Sequence, residues 1–184
     1  MDLYLIRHPW PAVAPGVCYG AADLPLAEAV APVAERLKPL LPQGARVLSS
    51  PLQRCRQLAE ALHPSPVLDP RLQEINFGRW EGKTWDDIYR DDRTSLDAWA
   101  KDVLHFTPPG GESAAQMQAR ALACVGELAH EDTVIVTHGG VIRALLVYWL
   151  GIPAERWRQV QLDFGHLTKV RVDNQGGRLL CLNR

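Results

Sequence analysis

The chain has 184 residues, of which 47% are hydrophobic and 22% are charged, a composition that is ordinary for a globular protein of one domain. Its 20 basic and 21 acidic residues give a formal net charge of −1, which argues against nucleic acid or an anionic membrane as the main partner. The sequence shows neither a secretory signal nor a stretch long and apolar enough to cross a membrane, so we expect a cytoplasmic protein.

The first third of the chain alternates between short apolar runs and helical patterns, which is typical of an α/β fold. Strands are predicted at about 3–7, 47–49 and 67–68, and helices at about 30–41 and 51–62. Pro32 fits the first turn of its helix, where a missing N–H group does no harm. Ser50 is the predicted N-cap of the next helix, which Pro51 opens.

Residues 71–111 break this alternation, because they combine three tryptophans and many charges with no strand pattern. We interpret them as an insertion with one or two short helices that forms a lid or wall over a site. We expect its Trp80, Trp85 and Trp99 to serve mainly in packing. Beyond the insertion, helices are predicted at about 112–129 and 140–150, and strands at 133–137, 159–164, 168–172 and 179–182, with a turn at 174–177.

The four cysteines are widely scattered along the chain, at Cys18, Cys55, Cys124 and Cys181. A zinc site would need closer spacing in at least one pair, so we expect no metal site. In a cytosolic protein the simplest interpretation is four free thiols, most of them buried.

Two histidines come directly after runs that resemble buried parallel strands. Arg7 and His8 close the first predicted strand, and His138 follows the strand at 133–137 and precedes two glycines and a helix. In open α/β sheets, ligands bind outside the carboxyl ends of the strands, so two imidazoles and an arginine there would form an anion site. Either histidine could act as a nucleophile, because neutral imidazole attacks without prior activation.

Five sequence blocks, taken in order, resemble those of the histidine phosphatase superfamily, which contains small cofactor-independent phosphatases and the phosphoglycerate mutases. The blocks are LIRH at 5–8, SSPLQRCRQ at 49–57, LQEINFGRWEG at 72–82, PGGES at 109–113 and VTHGG at 136–140. One such block is weakly specific, whereas five in order are highly specific. The resemblance covers the chain and implies one domain, residues 1–184, built as a three-layer α/β sandwich with a mostly parallel central sheet flanked by helices.

Carried over position by position, the resemblance implies a role for each pocket residue. His8 is the nucleophile that becomes phosphorylated, and His138 is the second pocket histidine. Arg7 and Arg54 hold the phosphoryl oxygens, since planar guanidinium donors offset the charge of a phosphate and fix its orientation. Gly139 is expected to contribute to substrate binding at the helix N-terminus, which favours an anion.

A carboxylic acid must complete such a site, because a leaving alkoxide needs a proton as its bond to phosphorus breaks. The resemblance implies that Glu74 is this donor. Glu81 and Glu112 compete for the role. We favour Glu74 because the stretch at 71–74 leads out of the strand region above the site.

The loop after His8 departs from the family pattern. The family usually continues with a glycine, then a small polar residue and often an asparagine, whereas this chain has Pro9, Trp10 and Pro11. The expected hydroxyl and amide contacts to phosphate are absent, and Pro9 lacks the N–H group that glycine would offer. We expect weaker phosphate binding unless other loop groups compensate.

The segments VCYG at 17–20 and DLPL at 23–26 are similar to the α-ribazole phosphatase branch of cobalamin assembly. The resemblance therefore implies a metal-independent phosphomonoesterase without a cofactor, which dephosphorylates a small metabolite, α-ribazole 5′-phosphate, through a phosphohistidine. The alternatives are a broad-specificity sugar-phosphate phosphatase and a weakly active regulatory protein that binds a phosphorylated ligand. A homodimer is one expected assembly.

Overall fold

One mixed six-stranded sheet forms the centre of the computed structural model, which describes residues 1–128 and 131–184. The strands are β1 (Asp2–Arg7), β2 (Arg46–Ser49), β3 (Val67–Leu68), β4 (Thr133–Thr137), β5 (Leu167–Asp173) and β6 (Gly176–Cys181). Their order across the sheet is β3-β2-β4-β1-β5-β6. Strands β1 to β4 are parallel to one another, and the pairs β1–β5 and β5–β6 are antiparallel.

Helices cover both faces of this sheet. They are α1 (Val30–Leu37), α2 (Gln53–Leu62), α3 (Trp85–Asp91), α4 (Arg93–Lys101), α5 (Ala114–Gly126) and α6 (Gly139–Leu150). Alternate residues of β1 point to opposite faces, so Ile6 packs in the core under α1 and α2, whereas Leu3 and Leu5 pack in the core under α5 and α6. The predicted three-layer α/β architecture is confirmed.

The pairing of β1 with β4 brings the two strand-end histidines together. Leu5 lies opposite Ile135, and Arg7 lies opposite Thr137, in a parallel register. His8 and His138 each follow the last paired residue of their strand, so they leave the sheet side by side at its carboxyl edge. The expectation that both histidines follow parallel strands and meet at the carboxyl edge of the sheet is confirmed.

Several predicted boundaries need correction. Helix α2 begins at Gln53 with Leu52 as its N-cap, so Ser50 is not the cap. Helix α5 begins at Ala114, because Ser113 and Gln116 form a capping box there. The structure ends α5 at Gly126, and the predicted end at residue 129 lies outside the described residues.

The prediction of a strand at 159–164 is wrong. Ala154–Gln159 forms a 3₁₀ helix, and the chain then continues without regular structure to β5. Carbonyl groups of this segment accept from arginine side chains instead of from a neighbouring strand: Val160 from Arg143 and Leu162 from Arg7. The alternation of polar and apolar residues at 159–164 is typical of a strand, but carbonyl groups of this segment bind the arginine side chains at the carboxyl edge of the sheet.

Residues 71–111 contain α3, α4 and two short 3₁₀ turns. The predicted short helices of the insertion are confirmed. Trp80 and Trp99 are buried there, and the ring of Trp85 stacks on Trp99 with centroids 5.5 Å apart. Phe77 joins the same aromatic cluster. The expected packing role of the three tryptophans is confirmed.

Asp2 joins β1 to β5 through charged hydrogen bonds from Arg171 at 2.6 Å and Lys169 at 2.8 Å. The bond from Arg171 is the main reason that the pKa of Asp2 lies well below its ordinary value of 3.8, and Lys169 lowers it further. We expect Asp2→Asn to lower the free energy of unfolding by about 1–2 kcal/mol at pH 7, because an amide cannot make these charged bonds.

The pH dependence of this loss has a definite sign. The ionised Asp2 stabilises the fold fully above pH 3.8, and its contribution falls as the pH drops toward the lower folded-state pKa. Urea denaturation of wild type and Asp2→Asn at pH 7 and pH 2.5 should therefore give a smaller difference at the lower pH. An equal difference at both values would contradict this account.

Candidate active site

His8 is buried at the carboxyl end of β1, with 1% of its surface exposed. Its Nδ1 lies 2.6 Å from the carbonyl oxygen of Pro9. A carbonyl can only accept, so Nδ1 carries the proton and Nε2 keeps its lone pair. Burial lowers the pKa of His8 to about 3, and the positive charge of Arg54 contributes to this shift. His8 is therefore a neutral imidazole with a free Nε2 at neutral pH.

His138 stands beside His8 at the start of α6. The two ring centroids are 5.1 Å apart, close enough for both rings to contact one phosphate-sized anion, as expected from the sequence. The Nε2 of His138 lies 2.8 Å from Oγ of Ser50. Burial is the main reason that its pKa lies well below the ordinary value, so His138 is also neutral.

Arg7 and Arg54 supply positive charge around His8. Arg54 is fully buried and donates to the carbonyl oxygens of Gly20 and Ala22, at 2.7 and 2.6 Å. Arg7 donates to the carbonyl oxygen of Leu162 at 2.5 Å. Within the described part of the chain neither guanidinium forms a salt bridge, and the Nε of each is buried without a hydrogen-bond partner. Two buried donors without a partner mark a place where an anion would be stabilised.

Glu74 lies against the first turn of α6. Its Oε2 accepts from the backbone N–H of Gly140 at 3.0 Å, and its Oε1 accepts from the N–H of Ile75 at 3.0 Å. A Cβ atom at position 140 would collide with Oε1 of Glu74, so only glycine lets the carboxylate approach the helix this closely. The expected site residue Gly139 begins α6, and it too lies close to the site, since a Cβ there would come within 3.1 Å of Nε of Arg7.

The two competing carboxylates are engaged elsewhere. Oε1 of Glu81 accepts from the N–H groups of Ala21 and Phe77, both at 2.9 Å. Glu112 receives two bonds from Arg120, at 2.6 and 3.0 Å. Glu81 thus holds a loop and Glu112 forms an ion pair, whereas Glu74 lies at the N-terminus of α6, next to the two glycines that follow His138.

The structure adds two residues that were not expected from the sequence. Tyr19 is half-buried, with its ring 5.4 Å from the guanidinium carbon of Arg54. Arg143 of α6 donates to the carbonyl oxygen of Val160 and reaches to the α6 N-terminus, within 3.5 Å of where a side chain at Gly139 would begin. Helical spacing offered a signal for Arg143, since it follows Gly139 by four residues, about one turn.

No group of three or more His, Cys, Asp or Glu side chains among residues 1–128 and 131–184 is arranged to hold a metal ion. Across the same residues, every helix is too short or too polar to span a bilayer.

Comparison with known proteins identifies the family. The sequence profile of the histidine phosphatase superfamily, branch 1, matches residues 3–184. The chain belongs to this superfamily. It is 30% identical to an adenosylcobalamin/alpha-ribazole phosphatase of Escherichia coli K12, over all of this chain and 96% of that protein. It is 34% identical to a glucosyl-3-phosphoglycerate phosphatase of Mycolicibacterium vanbaalenii, over 71% of this chain and 62% of that protein.

Solved structures agree with the family. The crystal structure of the alpha-ribazole phosphatase from Shigella flexneri superposes with a TM-score of 0.86 at 29% identity, over all of this chain and 96% of that one. A mycobacterial glucosyl-3-phosphoglycerate phosphatase superposes with a TM-score of 0.85 at 28% identity, over 99% and 98% of the two chains. Membership of this superfamily confirms the expected fold and the expected enzyme class, a phosphatase.

Proposed function

We propose that this histidine phosphatase is a metal-independent phosphomonoesterase that works through a phosphohistidine at His8. One observation supports the proposal above all: a neutral imidazole with a free Nε2 lies near the buried guanidinium of Arg54 and the half-buried guanidinium of Arg7, and the Nε of each arginine is buried without a hydrogen-bond partner. A phosphate monoester carries nearly two negative charges at neutral pH and repels nucleophiles. Arg7 and Arg54 offset that charge, so a neutral His8 can approach phosphorus.

In the first step, Nε2 of His8 attacks phosphorus while the bond to the leaving oxygen breaks. The P–N bond forms with the lone pair of Nε2, and the leaving alkoxide takes a proton from Glu74. Arg7, Arg54 and His138 bind the equatorial oxygens, over which the transition-state charge is spread. The first N–H groups of α6, from Gly139 onward, add positive potential on the same side.

In the second step, water attacks the phosphohistidine. Glu74, now a carboxylate, takes a proton from the water as the new P–O bond forms and the P–N bond breaks. Neutral His8 and inorganic phosphate result, and Glu74 is again protonated for the next cycle. The position of Glu74 at the edge of the pocket, beside Gly140, suits a group that serves the leaving oxygen first and water second.

The insertion at 71–111 serves as a wall over the pocket in this proposal. Glu74 and Glu81 both lie on it, and Glu81 ties it to the loop that carries Gly20 and Ala21. Arg54 binds the same loop, so the insertion and the guanidinium share one support.

We propose α-ribazole 5′-phosphate as the substrate, within cobalamin synthesis. The support is the similarity, over nearly the full length of both chains, to relatives named as α-ribazole phosphatases. A broad-specificity phosphatase of sugar phosphates is the second candidate, supported by the similarly close relative named for glucosyl-3-phosphoglycerate. A weakly active regulatory protein fits less well, because His8, Glu74 and both arginines stand in positions suited to turnover.

The nucleophile is tested by His8→Ala. We expect hydrolysis of 4-nitrophenyl phosphate to fall to about 0.1% of wild type or less, because the variant lacks the ring nitrogen that bonds to phosphorus. Phosphoenzyme trapped from wild type and measured by intact mass should be labile to acid and should be missing from the variant. EDTA should leave wild-type activity unchanged.

A matched control is His105→Ala, since His105 is exposed and bound only to Asp102. This variant should retain full activity. Activity of His8→Ala near a tenth of wild type would mean direct attack by water and would refute the phosphohistidine.

The proton donor is tested by Glu74→Gln, which keeps the shape of the side chain and removes the proton. Because general acid assistance is worth about 10²–10⁴-fold, we expect a loss of that size with α-ribazole 5′-phosphate, whose alkoxide is a strong base. The loss with 4-nitrophenyl phosphate should be much smaller, since nitrophenolate leaves unaided. The measurement is kcat/KM for both esters.

The exposed Glu60→Gln is the control, and it should leave both values unchanged. Equal losses with the two esters would show that Glu74 positions the substrate or the water. No loss with either would remove Glu74 from the mechanism.

A further inference from the structure

The loop after His8 holds Trp10 between Pro9 and Pro11. The proposed mechanism gives this tryptophan no role. The residue is 54% exposed. Its backbone is nevertheless firmly held, because its N–H donates to Oε1 of Glu28 at 2.7 Å and its carbonyl accepts from Ala27 at 2.8 Å. The two flanking prolines restrict the backbone further. A large aromatic side chain is thus kept in solvent on an ordered support.

The indole of Trp10 is connected to His8 by a chain of aromatic contacts through Phe164. Its ring meets Phe164 edge to face, with centroids 4.3 Å apart. Phe164 in turn lies 3.4 Å from the guanidinium carbon of Arg7 and 5.4 Å from the ring of His8. The exposed indole is therefore two ring contacts away from the phosphate site.

An open cleft of about 480 Å³ lies at this position. Arg7 bounds it on the side of the phosphate site, and Trp10, Leu162 and Phe164 give it apolar and aromatic walls. Two carboxylates, Glu28 and Asp163, line the remainder. The volume suits a small organic group, and the acidic lining disfavours a second anionic group on the ligand.

We propose that this cleft is the leaving-group subsite and that the indole of Trp10 stacks on a flat, uncharged aromatic ring of the alcohol that departs from phosphorus. The inference rests on the proposed phosphatase function, because it places the ring of the substrate relative to a phosphate bound at His8. Stacking on an aromatic face is favourable for flat rings, and Trp offers the largest face. In this proposal, the loop at 9–11 lacks the phosphate contacts that the family pattern implies, and Trp10 instead contacts the leaving alcohol.

The test compares two esters that share a ribose 5′-alkoxide leaving group and differ in the aromatic base. The probes are α-ribazole 5′-phosphate, which carries a benzimidazole, and ribose 5-phosphate, which carries none. We expect the wild-type kcat/KM for the first to exceed the second. In Trp10→Ala the ratio of the two values should fall about 10-fold, which is about 1.4 kcal/mol, through KM rather than kcat.

Two further variants complete the design. Trp10→Phe keeps an aromatic face and should retain the ratio within about 3-fold of wild type. Tyr148→Ala removes another exposed aromatic, near the far end of α6, and should leave both kcat/KM values unchanged. Circular dichroism of each variant checks the fold, and Trp10→Gln replaces Trp10→Ala if that variant does not fold.

If Trp10→Ala lowers kcat/KM equally for both esters, or for neither, the ratio of the two values is unchanged. That result would overturn the subsite while leaving the phosphatase proposal intact. A Trp10→Phe variant as impaired as Trp10→Ala would also overturn the stacking role. If wild type hydrolyses neither ester and no aryl phosphate, the proposed function fails and the subsite fails with it.

Discussion

The hydrogen bond from Nδ1 of His8 to the carbonyl oxygen of Pro9 determines which ring nitrogen faces the pocket. Because the bond fixes the proton on Nδ1, the lone pair of Nε2 stays free, and burial keeps the ring neutral. The substitution of glycine by Pro9 does not remove this interaction, since it uses a carbonyl group and proline keeps its carbonyl. The departure from the family pattern at Pro9 therefore leaves the orientation of the His8 ring intact.

The two arginines near His8, Arg7 and Arg54, are held in place by neutral backbone carbonyl groups. Backbone carbonyls of Gly20, Ala22 and Leu162 fix the two guanidiniums, and no described carboxylate forms a salt bridge with either one. Carbonyl dipoles orient an arginine without cancelling its charge, so the potential remains available to an anion. The segment near residue 160 makes no strand pairing, and its carbonyl groups bind arginine side chains instead: Val160 accepts from Arg143, and Leu162 accepts from Arg7.

The sequence predicts the sheet centre and the paired histidines because both depend on simple rules. Short apolar runs rich in β-branched and aliphatic residues predict buried strands, and the carboxyl ends of parallel strands must meet at one edge. Arg54 is also predictable, since it lies in the first turn of a helix that starts at the same edge. These features need only local patterns and one topological rule.

Other features depend on tertiary contacts that no local pattern encodes. Ser50 resembles an N-cap, but its hydroxyl lies against His138, which is 88 residues away. Position in the sequence favours Glu74 over Glu81 and Glu112, but the hydrogen-bond partners of the three carboxylates are visible only in the structure. Polar and apolar residues alternate at 159–164, which is a strand pattern, yet carbonyl groups of this segment accept hydrogen bonds from Arg7 and Arg143.

The tautomer and charge of His8 test the central claim most directly. Long-range ¹H–¹⁵N NMR spectra of the ligand-free enzyme, recorded from pH 8 to pH 5 and assigned with His8→Gln, report the protonation of each ring nitrogen. The account predicts a proton on Nδ1, an unprotonated Nε2 and no titration of His8 across this range. A proton on Nε2, or a titration near pH 6.5, would contradict it.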